Sequence, residues 1–207
     1  MNLEFKPTCL QVFHYTKKEW IFMNDTMKTI LDRRSIRRFK DKPVGEKELN
    51  LILEAARYAP SAMNQQPWHF TVVQSREIMD RINEVTKEAF AKSGNPHFEA
   101  RSRSEGFSPF YHAPLFIIVS CDKKAIAPIH DGALTLGNMF LAAKSLGIGS
   151  CWIHAMNFVL ESEGGYVLRK ELQIPEGYML IGAGAFGYAA EKNPEPSPRK
   201  KDAVTFL

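Results

Sequence analysis

The chain has 207 residues, of which 44% are hydrophobic and 24% charged, with a formal net charge of +4. A chain of this size buries roughly 70% of its unfolded surface, so the composition predicts a globular, soluble protein and excludes a disordered one. No run approaches the roughly 18 consecutive apolar residues of a membrane span, and Glu4 with no apolar stretch around it excludes a secretory signal, so the expected compartment is the cytoplasm.

Residues 1–24 show weak periodicity and are taken as an N-terminal extension of unknown role, leaving 25–207 as the domain. Asn24 or Asp25 is a candidate cap for a helix through Met27, Ile30 and Leu31. The cluster Arg33-Arg34-Ser35-Ile36-Arg37-Arg38-Phe39-Lys40 then falls where that helix exits into a loop. Leu49, Ile52, Leu53 and Ala56 recur at helical spacing, and Pro60 ends that helix. His69 to Gln74 reads as a strand, followed by a helix capped by Ser75 and carrying Ile78, Met79, Ile82, Val85 and Ala89. Residues 93–112, rich in Gly, Pro, Ser and Asn with paired arginines, read as a mobile loop or short helix.

Leu115 to Ser120 is unbroken and β-branched, the pattern of a central strand covered on both faces. Asp131 opens a helix to Leu146 with almost no polar face, which predicts that it is buried, and Gly147 ends it. A strand Ser150–Ile153, a helical stretch interrupted at Gly164-Gly165 and a strand Tyr178–Tyr188 come next, before a proline-rich tail ending in Arg199-Lys200-Lys201. Strands alternating with helices give an α/β or α+β sheet with helical cover.

Several motifs are set aside on physical grounds. Gly182-Ala183-Gly184-Ala185-Phe186-Gly187 has the dinucleotide-binding spelling, but no helix comes after it to hold a pyrophosphate, so close packing of a strand explains the small residues better. Cys151 and His154 lie three apart in a strand and so on opposite faces, which argues against a Cys–His nucleophile. The three cysteines, Cys9, Cys121 and Cys151, have neither disulfide nor zinc-site spacing, and no serine stands in a nucleophile elbow. An anion site is left: Arg33, Arg34, Ser35 and Arg37 offer guanidiniums and a hydroxyl to one phosphate. With them comes a loop, Ala59 to Trp68, rich in short hydrogen-bonding groups suited to a planar polar ligand.

RRSIRRF at 33–39, APSAMNQQPWHF at 59–70, Ala113-Pro114, DGALTLGNMFLAAKSLGIGSCWI at 131–153 and GYAAEKNPEPSPRK at 187–200 together resemble the nitroreductase family of FMN-dependent oxidoreductases. The resemblance implies an α+β fold with a central mixed, mainly antiparallel sheet covered by helices, in an intertwined homodimer with FMN sites shared across the interface. It implies that Arg33, Arg34, Ser35 and Arg37 hold the phosphate and ribityl chain. It further implies that Pro60, Ser61, Ala62 and Asn64, with Gln66, form a loop laid against the ring by the partner subunit. Ile153 and His154 would run near the flavin, and Arg199 with Lys200 would return to the phosphate. The implied reaction is ping-pong transfer of hydride from NADH or NADPH through flavin N5 to an electron-poor small molecule such as a nitroaromatic or quinone, with no nucleic acid or membrane partner. Gly137 stands where many relatives carry a polar residue. The alternatives are a specialised flavoenzyme of the same fold (dehydrogenase, reductive dehalogenase or flavin-consuming enzyme), a non-enzymatic flavin binder, or a nucleic-acid binder stacking bases on Phe39, Trp68 and Phe70. Against the last stands a mild isoelectric point of about 8.9.

Overall fold

A computed structural model of the protein describes residues 24–200 and 202–206. The expected extension up to residue 23, together with Cys9 and Lys201, lies outside the described residues. The chain divides into two compact units: Arg33–Pro194 forms one, and the segment up to Asp32 together with Glu195 onward forms the other. In the smaller unit, helix α1 (Asp25–Asp32) is capped by Asn24, whose Oδ1 accepts from the Met27 amide at 2.9 Å.

The larger unit is built around strand β2 (Leu115–Asp122), whose residues are buried up to Cys121. Its neighbours are β1 (Trp68–Val73) on one side and β4 (Tyr178–Gly187) on the other, with β3 (Gly149–Ile153) beyond β4. Every neighbouring pair is antiparallel. The mainly antiparallel sheet expected from sequence is what forms, with parallel pairing among the described residues limited to an isolated bridge between Ser35 and Ser150.

Alternation along β2 makes two cores. Phe116 and Ile118 join Ile82, Phe90, Met156 and Leu168 on one face, while Leu115, Ile117 and Val119 join Ile52, Leu136 and Met139 on the other. Both faces are covered by helices for that reason. The first core is capped by α3 (Arg76–Ala91), started by Ser75 as expected, and by α6 (Ala155–Val159) and α7 (Glu163–Glu171). The second is capped by α2 (Glu46–Arg57) and α5 (Pro128–Ser145), pinned together by Asn138 Nδ2 donating to the Ala55 carbonyl at 2.9 Å. Between α3 and β2 lies a short helix, α4 (Pro96–Ser102), capped by Asn95.

Three expectations shift. Helix α5 begins three residues before Asp131, because Pro128 suits a first helical position whose missing N–H has no partner to lose. Its apolar surface is buried on one side only: Leu136 and Met139 are enclosed, whereas Ile129 is 56% and Leu134 47% exposed. The glycine pair at 164–165 does not interrupt a helix but lies in the first turn of α7, where Ser162 Oγ accepts from the Gly165 amide at 3.3 Å. A methyl group at Gly165 would strike the Val159 carbonyl and the Leu160 backbone. Gly165→Ala is thus expected to cost about 1–3 kcal/mol, read as a lowered midpoint in thermal unfolding; an unchanged midpoint would contradict this packing.

The strand reading of residues 182–187 holds. A Cβ at Gly182 would lie 2.8 Å from Trp152 Cζ2, so the absent side chain makes room for a ring rather than for a phosphate. Among the described residues, no helix is long and apolar enough to cross a membrane.

Candidate functional site

The arginine motif leaves α1 as an extended segment laid along the edge of β3. The Ile36 amide donates to the Ser150 carbonyl at 2.9 Å, and further on the Lys40 amide donates to the Tyr188 carbonyl at 2.8 Å. Extended backbone alternates its side chains, and here the alternation decides which cations act together. Ile36 points inward, 4% exposed, against Gly149. Arg34 lies on that side: its Nε donates to the Pro194 carbonyl at 3.1 Å and its Nη1 to the Arg33 carbonyl at 2.9 Å, so its guanidinium ties down backbone.

Arg33, Ser35 and Arg37 take the alternate positions, and all three bear on the buried thiol of Cys151. Burial pushes that thiol up, while the Arg37 charge, a hydrogen bond with Ser35 and the charges of Arg33 and Arg101 pull it down. Arg101 comes from α4, and its Cζ stands 5.7 Å from the centroid of the Tyr111 ring, with Arg37 Cζ at 5.9 Å from the same ring. The hydrogen bond with Tyr111 is the chief reason the Arg37 guanidinium holds its proton more tightly than usual. The Arg37 amide donates to Glu191 Oε1 at 2.8 Å, which fixes the backbone at the centre of the cluster. The charges of Arg33, Arg37 and Arg101 all bear on the one thiol of Cys151, and positive charge gathered in this way favours an anion.

The second predicted piece, residues 60–66, is an exposed loop around one 3-10 turn, Ala62–Asn64. Met63, Asn64 and Gln66 all lie in the left-handed region, with φ of 51°, 54° and 49°. The loop is held by its own polar groups: the Gln66 amide donates to Ser61 Oγ at 3.0 Å and Gln66 Nε2 to Asn64 Oδ1 at 3.1 Å. The Ala62 amide donates to Asp131 Oδ1 at 3.1 Å, and Gln65 Oε1 accepts from the Ile126 amide at 2.9 Å. Pro60, Met63 and the amides of Asn64 and Gln66 face outward. The hydroxyl of Ser61 and the amide groups of Asn64 and Gln66 that sequence assigned to a ligand also build the loop that presents them.

Ala62 touches Asp131 near the start of α5, whereas Arg33 and Arg34 line a cleft of about 120 Å³ with Lys144 near its end. At 1.5 Å of rise per residue, positions 131 and 144 are about 20 Å apart along the helix.

Ile153 closes β3 with its side chain in the core, 3% exposed, so its backbone alone is open to a ligand, while His154 is exposed at the start of α6. Arg199 and Lys200 are exposed residues of the smaller unit. Sequence reasoning missed Arg101, Tyr111 and Asp131. The signal for Arg101 was present, since the segment 93–112 carries paired arginines, but nothing in it says that α4 aims one of them at Cys151.

A family model described as "Nitroreductase family" matches residues 30–188. A nitroreductase of Bacteroides fragilis, solved with bound FMN, is 38% identical and superposes with a TM-score of 0.84 over 89% of this chain and 100% of its own. A nitroreductase of Desulfitobacterium hafniense, also solved with bound FMN, is 32% identical with a TM-score of 0.81 over 89% of this chain and 99% of its own. The Bacillus subtilis protein named FMN reductase [NAD(P)H] is 26% identical over 204 residues, 88% of this chain and 73% of its own length.

Proposed function

Since the chain belongs to the nitroreductase family, we propose that it is an FMN-dependent oxidoreductase using NADH or NADPH as hydride donor. The donor set fits the cofactor. The charges of Arg33, Arg37 and Arg101, with the Ser35 hydroxyl, suit a phosphate that carries close to two negative charges. An exposed loop of short amide and hydroxyl groups suits the polar edge of a flat ring. Bound FMN would supply the redox chemistry, carrying hydride from the nicotinamide to an electron-poor acceptor such as a nitroaromatic or quinone.

The work left to the chain is binding and orientation. Arg33, Ser35 and Arg37 hold the phosphate, and Arg101 raises the positive potential that favours an anionic ligand. Asn64 and Gln66 meet the ring from a second copy. The residues that anchor the two pieces, Asp131 and Lys144, lie about 20 Å apart along α5, which favours a second copy, and the exposed apolar residues on the paired helices α2 and α5 and just beyond α2, Leu51, Tyr58, Ile129 and Leu134, supply a face for it. A homodimer with two shared sites is the assembly that satisfies both.

The observation that carries this reading is the arginine motif of a chain of this family, with Arg37 joined by Arg101 over the Tyr111 ring. Its test is an absorption spectrum of the purified protein. Two visible flavin bands that bleach on adding NADH or NADPH, with FMN released on heating, are the expected result. A colourless protein that takes up no added FMN would sink the proposal.

A further inference from the structure

We propose that Asp131 is a positioning residue for this site, acting through the Ala62 amide to set the pose of the loop that faces the cofactor. The inference rests on the FMN reading above and deepens it.

Asp131 is 3% exposed, the fourth residue of α5, and its Oδ1 holds the Ala62 amide at 3.1 Å. Its Oδ2 is also buried and has no hydrogen-bond partner among the described residues. Its charge bears on the Cys121 thiol, which burial first and then Asp131 push up to about 12. A carboxylate enclosed beside a neutral thiol, with one oxygen unpartnered, is unfavourable by itself. The positive end of α5 offsets part of that cost, and the bond to Ala62 is what the carboxylate supplies in return.

That bond matters because the next residues along the chain are held in an unfavourable backbone conformation. Asn64 tolerates the left-handed region, but Met63 and Gln66 do not favour it, and such backbone persists only where its surroundings impose it. The bonds from Gln66 to Ser61 and to Asn64 tie the loop to itself. Among the described residues, two bonds tie its side chains and amides to the body of the protein. One uses Ile126, which is 66% exposed, and the other uses Asp131. The bond better shielded from water is therefore the one to Asp131, and Asn64 stands two residues beyond it.

Three variants test this. Asp131→Ala removes the acceptor. Asp131→Asn keeps an oxygen at the same place and should rescue. Ala62→Pro removes the donor without touching α5, and the extended Ser61 before it, φ −140° and ψ 153°, accepts a following proline. Amide hydrogen exchange of residues 61–66 and FMN affinity by fluorescence titration are measured for each. Asp131→Ala is expected to speed exchange of the loop and weaken FMN by about tenfold or more, the scale of one lost bond to a charged group. Ala62→Pro should weaken FMN similarly, and Asp131→Asn should stay within about threefold of the parent.

Unchanged FMN affinity in Asp131→Ala and Ala62→Pro would overturn the proposal, as would an Asp131→Asn as damaged as Asp131→Ala beside an unaffected Ala62→Pro. A parent protein that takes up no FMN overturns the functional reading instead. In that case exchange alone decides whether Asp131 anchors the loop, and an Asp131→Ala loop exchanging at the parent rate would show that it does not.

Discussion

Arg37→Ala and Arg33→Ala are each expected to weaken FMN binding between about 10-fold and 150-fold, the effect of losing a charge-assisted bond of ~1.5–3 kcal/mol. Arg34→Ala should change it by less than about threefold, since its guanidinium is tied to backbone carbonyls on the other side of the segment. Composition makes the three arginines equivalent. The extended segment beside β3 does not, because alternation sets Arg33 and Arg37 apart from Arg34, whose guanidinium is held by the Pro194 carbonyl. Titration of each variant with FMN under flavin fluorescence reads the difference. Equal losses at all three positions would mean that general positive charge attracts the cofactor, and the alternation would carry no specificity.

Leu134→Glu is expected to have the larger consequence. Leu134 is 47% exposed on α5, and the neighbouring α2 leaves Leu51, and Tyr58 just past its end, open as well. A carboxylate pressed into an apolar contact between two copies stays unpaired and desolvated, at a cost of several kcal/mol. The variant should elute from gel filtration as a monomer with its circular dichroism unchanged, and its flavin should be lost with the dimer because residues 60–66 no longer reach the arginines of the other copy. A monomer that retains full FMN occupancy would refute the shared site.

How much of this was legible in the sequence depends on how local each signal is. Ser75, Ile82 and Val85 marked their helix directly, and the β-branched run at 115–120 marked the central strand, because periodicity and capping act over a few residues. Asn24 proved to be the cap of α1 for the same reason. The flavin pieces were legible as motifs but not as an arrangement. Ser61 and Asn64 read as ligand groups, yet their oxygens also accept the loop's own N–H groups, a fact set by left-handed backbone that propensity does not predict at Met63 and Gln66. Ile153 belonged to the expected stretch, and strand register turned its side chain into the core. Asp131 looked like a helix start, whereas its partner lies 69 residues away in sequence. Helix α5 shows the limit most clearly. Its all-round apolar surface implied burial, and one chain covers only one side of it, since periodicity says that a face is to be covered without saying by what.

The sheet order carries a kinetic consequence. No two adjacent strands form a hairpin: β1 ends at Val73 before β2 starts at Leu115, β2 ends at Asp122 before β4 starts at Tyr178, and β3 ends at Ile153 before β4. Each ladder must close a loop containing at least one helix before its first cross-strand bond forms, so chain entropy is lost ahead of any contact that rewards it. Remote pairings of this kind slow folding, so refolding is expected to be slow for a chain of this helix content, which stopped-flow circular dichroism would read.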